Sequence, residues 1–294
     1  KKHDDRRKKQ RPQQNGGFDI QEMGSGILRF PSSPPQYDSV APQKPDMPPP
    51  RFGAEQVLRE LYDALEGHDF SSKEELDAFI GAFNQRSMKP SAKKKAAANP
   101  KREAQDLAYQ AMETRDPIQS GKLCEKAIKL DPHCVDALMH LARLSCEDGN
   151  EMIEHMQMVV DIGERGLGGK AYFDENEGHF WGLMETRPYM RARAYLAQVL
   201  VEADKNDQAI GHYEEILRLN PNDNQGLRYP LLGLYLLVGN LEGVRRLFKE
   251  FEDEGSAVFT WSLVLERHLS GDESGAAKAI KKARKCNKHV EKYL

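Results

Sequence analysis

The sequence predicts an all-α fold, a solenoid of stacked helix pairs behind a disordered N-terminal tail. Three observations predict it. Residues 190–223 hold two runs with apolar residues at helical spacing: Tyr195, Leu196 and Leu200, then Ile210, Tyr213, Ile216 and Leu217. The polar break Asp204-Lys-Asn-Asp207 separates the runs, and Pro221 ends the second because proline cannot continue a helix. The same spacing returns, in near register, in four further units between residues 101 and 294. Finally, each pair leaves an apolar face that only a neighbouring pair can cover, so the units should stack.

The reference unit has a period of about 34 residues, typical of a helical repeat. Leu196, Ala197, Leu200, Ala209, Tyr213, Ile216 and Pro221 fall where the tetratricopeptide repeat places its large, small, large, small, aromatic, small and proline residues. The stretch resembles that repeat. Ala197 and Ala209 put a small residue on each helix, so the backbones can approach closely; Ile216 departs from the usual alanine and should hold its helix slightly further from the next. Leu107, Ala108, Cys124, Ala127 and Pro132 repeat the pattern, with Asp116-Pro117 as N-cap and first helical residue of the second helix. A second unit runs from Val135 through Leu141, Ala142, Gly149, Val159 and Ile162. A fourth holds Leu231, Tyr235, Gly239, Val244 and Phe248, one residue late. A fifth holds Leu263, Gly271, Ala276, Ile280 and Ala283 and lacks the terminal proline. Residues 179–193 (His-Phe-Trp-Gly-Leu-Met-Glu-Thr-Arg-Pro-Tyr-Met-Arg-Ala-Arg) and 217–226 resemble more specifically a group of bacterial-type tetratricopeptide proteins, loosely related to the suppressor-of-tumorigenicity family. That resemblance covers roughly residues 55–290 and implies a fold more than an activity.

Composition bounds the function. With 294 residues the chain can hold one large or two ordinary domains, and a net charge of −3 gives no general attraction to nucleic acid or anionic membrane. No stretch approaches the roughly 20 apolar residues that span a bilayer. The first residues, Lys1-Lys-His-Asp-Asp-Arg6, lack the apolar core of a secretory signal. Cys124, Cys134, Cys146 and Cys286 show no paired spacing, and all but Cys134 fall on expected helices, as packing residues in a reducing compartment. A cytoplasmic protein is expected, or a nuclear one in a eukaryote.

In chain order, residues 1–50 combine a basic end (Lys1, Lys2, Arg6, Arg7, Lys8, Lys9, Arg11) with a proline-rich run to Pro50, and cannot bury enough apolar surface to fold. The basic end reads mainly as a solvated tail, with nuclear import or phosphate contact as functional readings. An apolar island, Gly26 to Pro31, is the part that could dock on the folded region. Residues 54–85 form a helical pair: Val57, Leu58, Leu61, Tyr62 and Leu65 make one apolar face, Gly67 stops that helix, Ser72-Lys-Glu-Glu75 is a capping box, and Leu76, Phe79, Ile80 and Phe83 make the second face. Two helices hold little core, so the pair must pack on itself, on the repeats or on a partner. Residues 86–100, with Lys89, Lys93, Lys94 and Lys95, read as a linker, and residues 101–294 as the solenoid of about five helix pairs with an insert at 163–188.

The insert is glycine-rich at its start, acidic in its middle and aromatic at its end. Asp174, Glu175, Glu177 and His179 are metal-ligand types, yet no i, i+4 histidine pair or CxxC accompanies them, and the Gly166, Gly168, Gly169, Lys170 run has neither a preceding strand nor a following Gly-Lys-Ser/Thr. The simplest reading is a loop closed by Phe180, Trp181 and Met184 at the junction of repeats two and three. A binding role is the alternative, because His179, Trp181, Glu185 and Arg187, with Arg191, combine anchors and charges suited to recognition. The nine histidines are scattered and no serine sits in a Gly-x-Ser-x-Gly elbow, so no catalytic residues, metal or cofactor are assigned.

Binding remains. The resemblance implies that the first helix of each pair lines a concave groove. Here the lining would be Arg102, Gln105, Tyr109 and Met112; Met139 and Arg143; Arg191, Gln198 and Glu202; Tyr229, Gly233, Leu236 and Leu237; and Val258, Trp261, Leu265 and His268. Its early part is cationic and its late part apolar and aromatic, a wall needing cover by a peptide, another domain or a second copy. Tyr229 and Trp261 are the expected anchors. The expected function is a non-enzymatic scaffold or adaptor holding a protein or peptide partner. The alternatives are a nucleic-acid-associated protein using tail and linker, and a metal-dependent activity in the insert.

Overall fold

Prolines and short polar side chains decide where the repeat helices begin. Asn99 accepts the backbone N–H groups of Lys101 and Arg102, Asp116 accepts those of Ile118 and Gln119, and Pro100 and Pro117 open the helices that follow. In the computed structural model, which describes residues 52–65, 67–87 and 99–293, thirteen α-helices follow one another with no strand among the described residues. They are α1 (Gly53–Leu65), α2 (Lys73–Ser87), α3 (Pro100–Glu113), α4 (Pro117–Leu130), α5 (Val135–Ser145), α6 (Gly149–Leu167), α7 (Gly169–Glu175), α8 (Arg187–Glu202), α9 (Asn206–Leu219), α10 (Arg228–Leu237), α11 (Leu241–Glu250), α12 (Ala257–Leu269) and α13 (Glu273–Asn287). The basic tail, the apolar island near Ile27 and Phe30, and Lys89 with Lys93 to Lys95 lie outside the described residues.

From α3 onward the helices pack as five pairs: α3/α4, α5/α6, α8/α9, α10/α11 and α12/α13. The second helix of each pair also wedges onto the first helix of the next: α4 on α5, α6 on α8, α9 on α10 and α11 on α12. Ala197 and Ala209 are both fully buried in the α8/α9 pair, with Leu196 and Ile216 filling the layers beside them. Gly163 serves a similar purpose between pairs, since a Cβ there would lie 3.1 Å from both Tyr189 and Val135.

Three sequence expectations change. The insert is not one loop. Gly168, at φ 110°, ends α6, and α7 starts at once, carrying Phe173 against Phe180 and Tyr189. Phe180 is fully buried, while Trp181 and Met184 are half-buried. The late register of α10 comes from the 220–227 connection. There Asp223, at φ 46° and buried, accepts the N–H groups of Leu227 and Arg228 and so sets where α10 begins. Cys146 caps the C-terminus of α5 instead of lying within a helix. The Ser72-to-Glu75 box is also looser than the motif: Glu75 N–H donates to Ser72 Oγ, but the Glu75 carboxylate reaches back to Ser71.

Gly243 in α11 sits under the ring of Tyr235. An added Cβ would lie 2.8 Å from three ring atoms, and the ring is held by its hydroxyl donating to Glu214 at 2.5 Å. Gly211 in α9 has nothing within 4 Å. Replacing a helical glycine by alanine ordinarily stabilises by up to about 1 kcal/mol. Gly211→Ala should do so, whereas Gly243→Ala should destabilise by about 1–3 kcal/mol through overpacking. Urea unfolding midpoints of the two variants should move in opposite directions.

His140 in α5 is buried and paired with Ser120 of α4, Nε2 to Oγ 2.7 Å. The Ser120 hydroxyl spends its hydrogen on the Ala111 carbonyl, so His140 must donate from Nε2, leaving Nδ1 bare and without a partner among the described residues. Burial, helped by Arg143, lowers its pKa to about 4. The unfolded chain therefore binds a proton between about pH 6.5 and pH 4 that the folded chain refuses. This contribution is fully present above about pH 6.5 and is lost as pH falls toward 4. The thermal midpoint should drop over that window, and the drop should be shallower in His140→Gln.

Candidate protein-binding groove

The cationic end of the groove is built around one side chain, Arg191, on the second turn of α8. Asp136, fully buried near the start of α5, takes its Nε at 3.0 Å and Nη2 at 2.6 Å. Gln105 of α3 donates to the same carboxylate at 2.5 Å. These contacts tie the first helices of three successive pairs together. The opposite edge of the guanidinium is met by Glu55, a residue of α1, with Nη1 at 2.9 and 3.1 Å from its two oxygens. Arg187, at the start of α8, adds a contact to Glu55 at 3.3 Å, and the Tyr109 hydroxyl donates to it at 2.9 Å.

Aromatic groups enclose this charge pair. Phe52 stacks on Tyr109 with centroids 4.6 Å apart and planes within 6°. The Arg191 guanidinium lies over both rings, at 5.3 and 6.0 Å. Arg187 lies 4.9 Å over Trp181 and donates Nε to the Trp181 carbonyl at 3.0 Å. Burial alone acts to lower the pKa of Arg191, but Asp136 and Glu55 outweigh it and raise it beyond the ordinary range. Burial, then Asp136 and Glu55, push the Tyr109 phenol upward, so its hydroxyl remains a donor. Beside the cluster an open cleft of about 750 Å³ is lined by Arg59 and Tyr62 of α1, Gln105 of α3, Val135 of α5, and Leu183 and Met184 of the insert. Chemically the arrangement holds one carboxylate, that of Glu55, and one aromatic ring, that of Phe52.

Of the residues singled out in the sequence, Arg102, Gln105, Tyr109, Arg187 and Arg191 come together here, so the candidate groove residues and the end of the insert are neighbours. Arg102 ion-pairs with Asp63 of α1. Trp181 and Glu185 stand at its border, Glu185 accepting from Tyr172 at 3.2 Å. Met139 is buried, Arg143 is exposed over the Tyr195 ring at 5.0 Å, and Gln198 donates to Glu202 on its own helix at 3.0 Å. Tyr229 is half-buried and donates to Glu254 at 2.8 Å, with Arg228 over its ring. Trp261 requires correction. It is 4 % exposed, packed with Val264, Ala279 and Ala283, and its Nε1 donates to the Asn287 carbonyl, so it joins α12 to the end of α13 instead of lining a groove. Its indole carries enough apolar area to be drawn between α12 and α13. Leu237, by contrast, is 71 % exposed and is not core.

Glu55 and Asp136 were not among the candidates. The signal for Glu55 was the acid–base–acid series Glu55, Arg59, Asp63 at four-residue spacing, complementary to Arg102 and Asp106 four apart on α3. The insert's acids do not converge: Asp174 pairs with Lys170, Glu177 with Arg218, and His179 is exposed. Among the described residues, the group with donor atoms close enough for a cation is Cys146, Glu151 and His155, at the α5–α6 corner.

No family model and no curated protein matches the sequence. Similar solved structures include two of MamA, 18 % and 19 % identical with TM-scores of 0.45 and 0.43, covering 66 % and 64 % of this chain and 95 % and 98 % of theirs. Another is YrrB, described as a TPR protein with an unusual peptide-binding site, 16 % identical with a TM-score of 0.42 over 73 % of this chain and 98 % of its own. The chain's own stacked helix pairs make the fold tetratricopeptide-like. Nothing in these comparisons shows the link to the suppressor-of-tumorigenicity proteins, and likenesses this distant carry no function. No described helix is long and apolar enough to cross a membrane.

Asp136 and Arg191 are the part of the site the fold cannot spare. Removing one partner of a buried ion pair typically costs about 3–5 kcal/mol, and Arg191 keeps Glu55, so Asp136→Ala should cost about 3 kcal/mol. Lys170→Ala breaks a pair whose side chains are 85 % and 56 % exposed and should change stability by less than about 0.5 kcal/mol. Equal losses in urea denaturation would show that burial does not set the worth of the Asp136–Arg191 pair.

Proposed function

We propose that the protein is a non-enzymatic binding scaffold whose concave groove holds a segment of another protein, with Arg187 and Arg191 receiving a carboxylate and the Tyr109 face receiving an aromatic ring. The observation that carries this reading is the setting of Glu55, a buried carboxylate held by two arginines and a tyrosine. Arg191 is already oriented by Asp136, so a ligand acid meets a guanidinium whose geometry is fixed before binding. Nothing in this arrangement is a nucleophile beside a base, which fits binding better than turnover.

The test is a fluorescence-anisotropy series with the full-length chain and synthetic helical peptides that differ only in whether they carry glutamate or glutamine. Acidic peptides should bind at least about tenfold more tightly, and Arg187→Gln should remove most of that preference. Raising salt from 50 to 200 mM should weaken binding only a few-fold, whereas a protein making many phosphate contacts loses about 10³–10⁵ over that range. Indifference to the acid, or steep salt-dependent binding of a polynucleotide instead, would overturn the reading in favour of a nucleic-acid role for the basic segments.

A further inference from the structure

A helix that belongs to a protein core buries its apolar face, and α1 leaves much of its own exposed. Phe52, Glu55, Arg59 and Asp63, spaced three or four residues apart, meet the groove. Phe52 stacks on Tyr109, Glu55 sits between Arg187 and Arg191, and Arg59 and Asp63 ion-pair with Asp106 and Arg102. The row on another side, Val57, Leu58 and Tyr62, remains 41 %, 38 % and 51 % exposed. The one buried residue of α1 is a carboxylate. No described side chain of its neighbour α2 is buried either. Apart from half-buried Leu61 and Leu65, what holds α1 in place is one carboxylate, one stacked ring, two partly exposed ion pairs and the Phe52 N–H donated to Glu113 at 2.7 Å, groups that a segment of another chain can supply as well.

The two arginines are not equally provided for. Arg191 has Asp136, fully buried and part of the solenoid whatever α1 does. Glu55 supplies the second carboxylate for Arg191 and the only carboxylate paired with Arg187 in this cluster. Without Glu55 two guanidinium groups share a half-buried pocket with one acid, and the site selects for an anion to restore the balance.

Resting on the groove reading above, we infer that α1 is an internal stand-in for the partner: the groove is occupied in cis, and the true ligand is a helical protein segment presenting an aromatic ring and, three residues later, a carboxylate. It must displace α1 to bind. A tethered occupant lowers the apparent affinity for any competitor by the fraction of molecules in which the groove is open. Phe52 and Glu55 therefore set both what the groove selects and how strongly a partner must bind.

The experiment uses a fluorescein-labelled peptide with the sequence of residues 50–67 and three full-length proteins: wild type, Phe52→Ala/Glu55→Gln, and that double variant with Arg187→Gln added. Circular dichroism and a thermal midpoint confirm that each is folded. The Phe52→Ala/Glu55→Gln chain should bind the peptide at least about tenfold more tightly than wild type. The gain should vanish with a Glu55→Gln peptide and fall by about tenfold when Arg187→Gln is added. Amide exchange across α1 should be faster than across α8 and should accelerate on adding peptide to wild type. Equal affinity for wild type and double variant, still dependent on the acid and on Arg187, would leave the groove reading intact and overturn the inference that α1 is its occupant. Binding to neither would overturn both. A wild-type dimer that the double variant loses would make the occupant a second copy and overturn the heterologous partner.

Discussion

The contact between Asp136 and Arg191 is the constraint on which the groove depends. A carboxylate with no solvent exposure is costly unless it is fully satisfied, and here Arg191 and Gln105 satisfy it from two other helices. Three successive pairs are therefore locked at one point through their first helices. The same contact fixes the guanidinium in a plane from which its outer edge faces α1. One edge of the side chain thus meets the stack and the other meets Glu55 of α1.

Around this point the helix pairs follow from simpler rules. Asn99 and Asp116 open helices because their oxygens take N–H groups that have no partner in the first turn. Ala197 and Ala209 are fully buried between α8 and α9 and the helices around them. The insert between the second and third pairs adds an aromatic layer of Phe173, Phe180 and Tyr189, and brings Arg187 to the groove's rim. Its acidic residues make surface ion pairs, of the kind that contributes little to stability.

How much of this was legible in the sequence depends on the range of the forces involved. Apolar period and capping residues are local, so the pairs around Leu196, Tyr213 and Pro221 can be read from the chain directly. The position of Trp261 could not be: a large apolar ring at a groove position goes to whichever neighbour hides it better, and at the last pair that neighbour is α13. The role of Glu55 depends on residues more than a hundred positions away, and nothing in a one-dimensional pattern states that Arg187 and Arg191 will lie opposite it. Its spacing with Arg59 and Asp63 marks a polar helix face, but not what that face meets. Asp223, setting the start of α10 from a left-handed backbone conformation, escaped for a different reason, because only a few per cent of non-glycine residues adopt it.

The buried alanines of the α8/α9 pair have a mechanical consequence. Ala197 and Ala209 are both fully buried and carry no long side chain that could change rotamer, so the pair offers little that can be compressed. Such a pair behaves as a rigid plate. The chain that follows is held by a different material: Asp223, Arg228, Glu254 and Tyr229 link the 220–227 segment and α10 to the segment after α11 by directional polar contacts. Any adjustment along this part of the stack falls to such polar sets before it reaches the alanine pair.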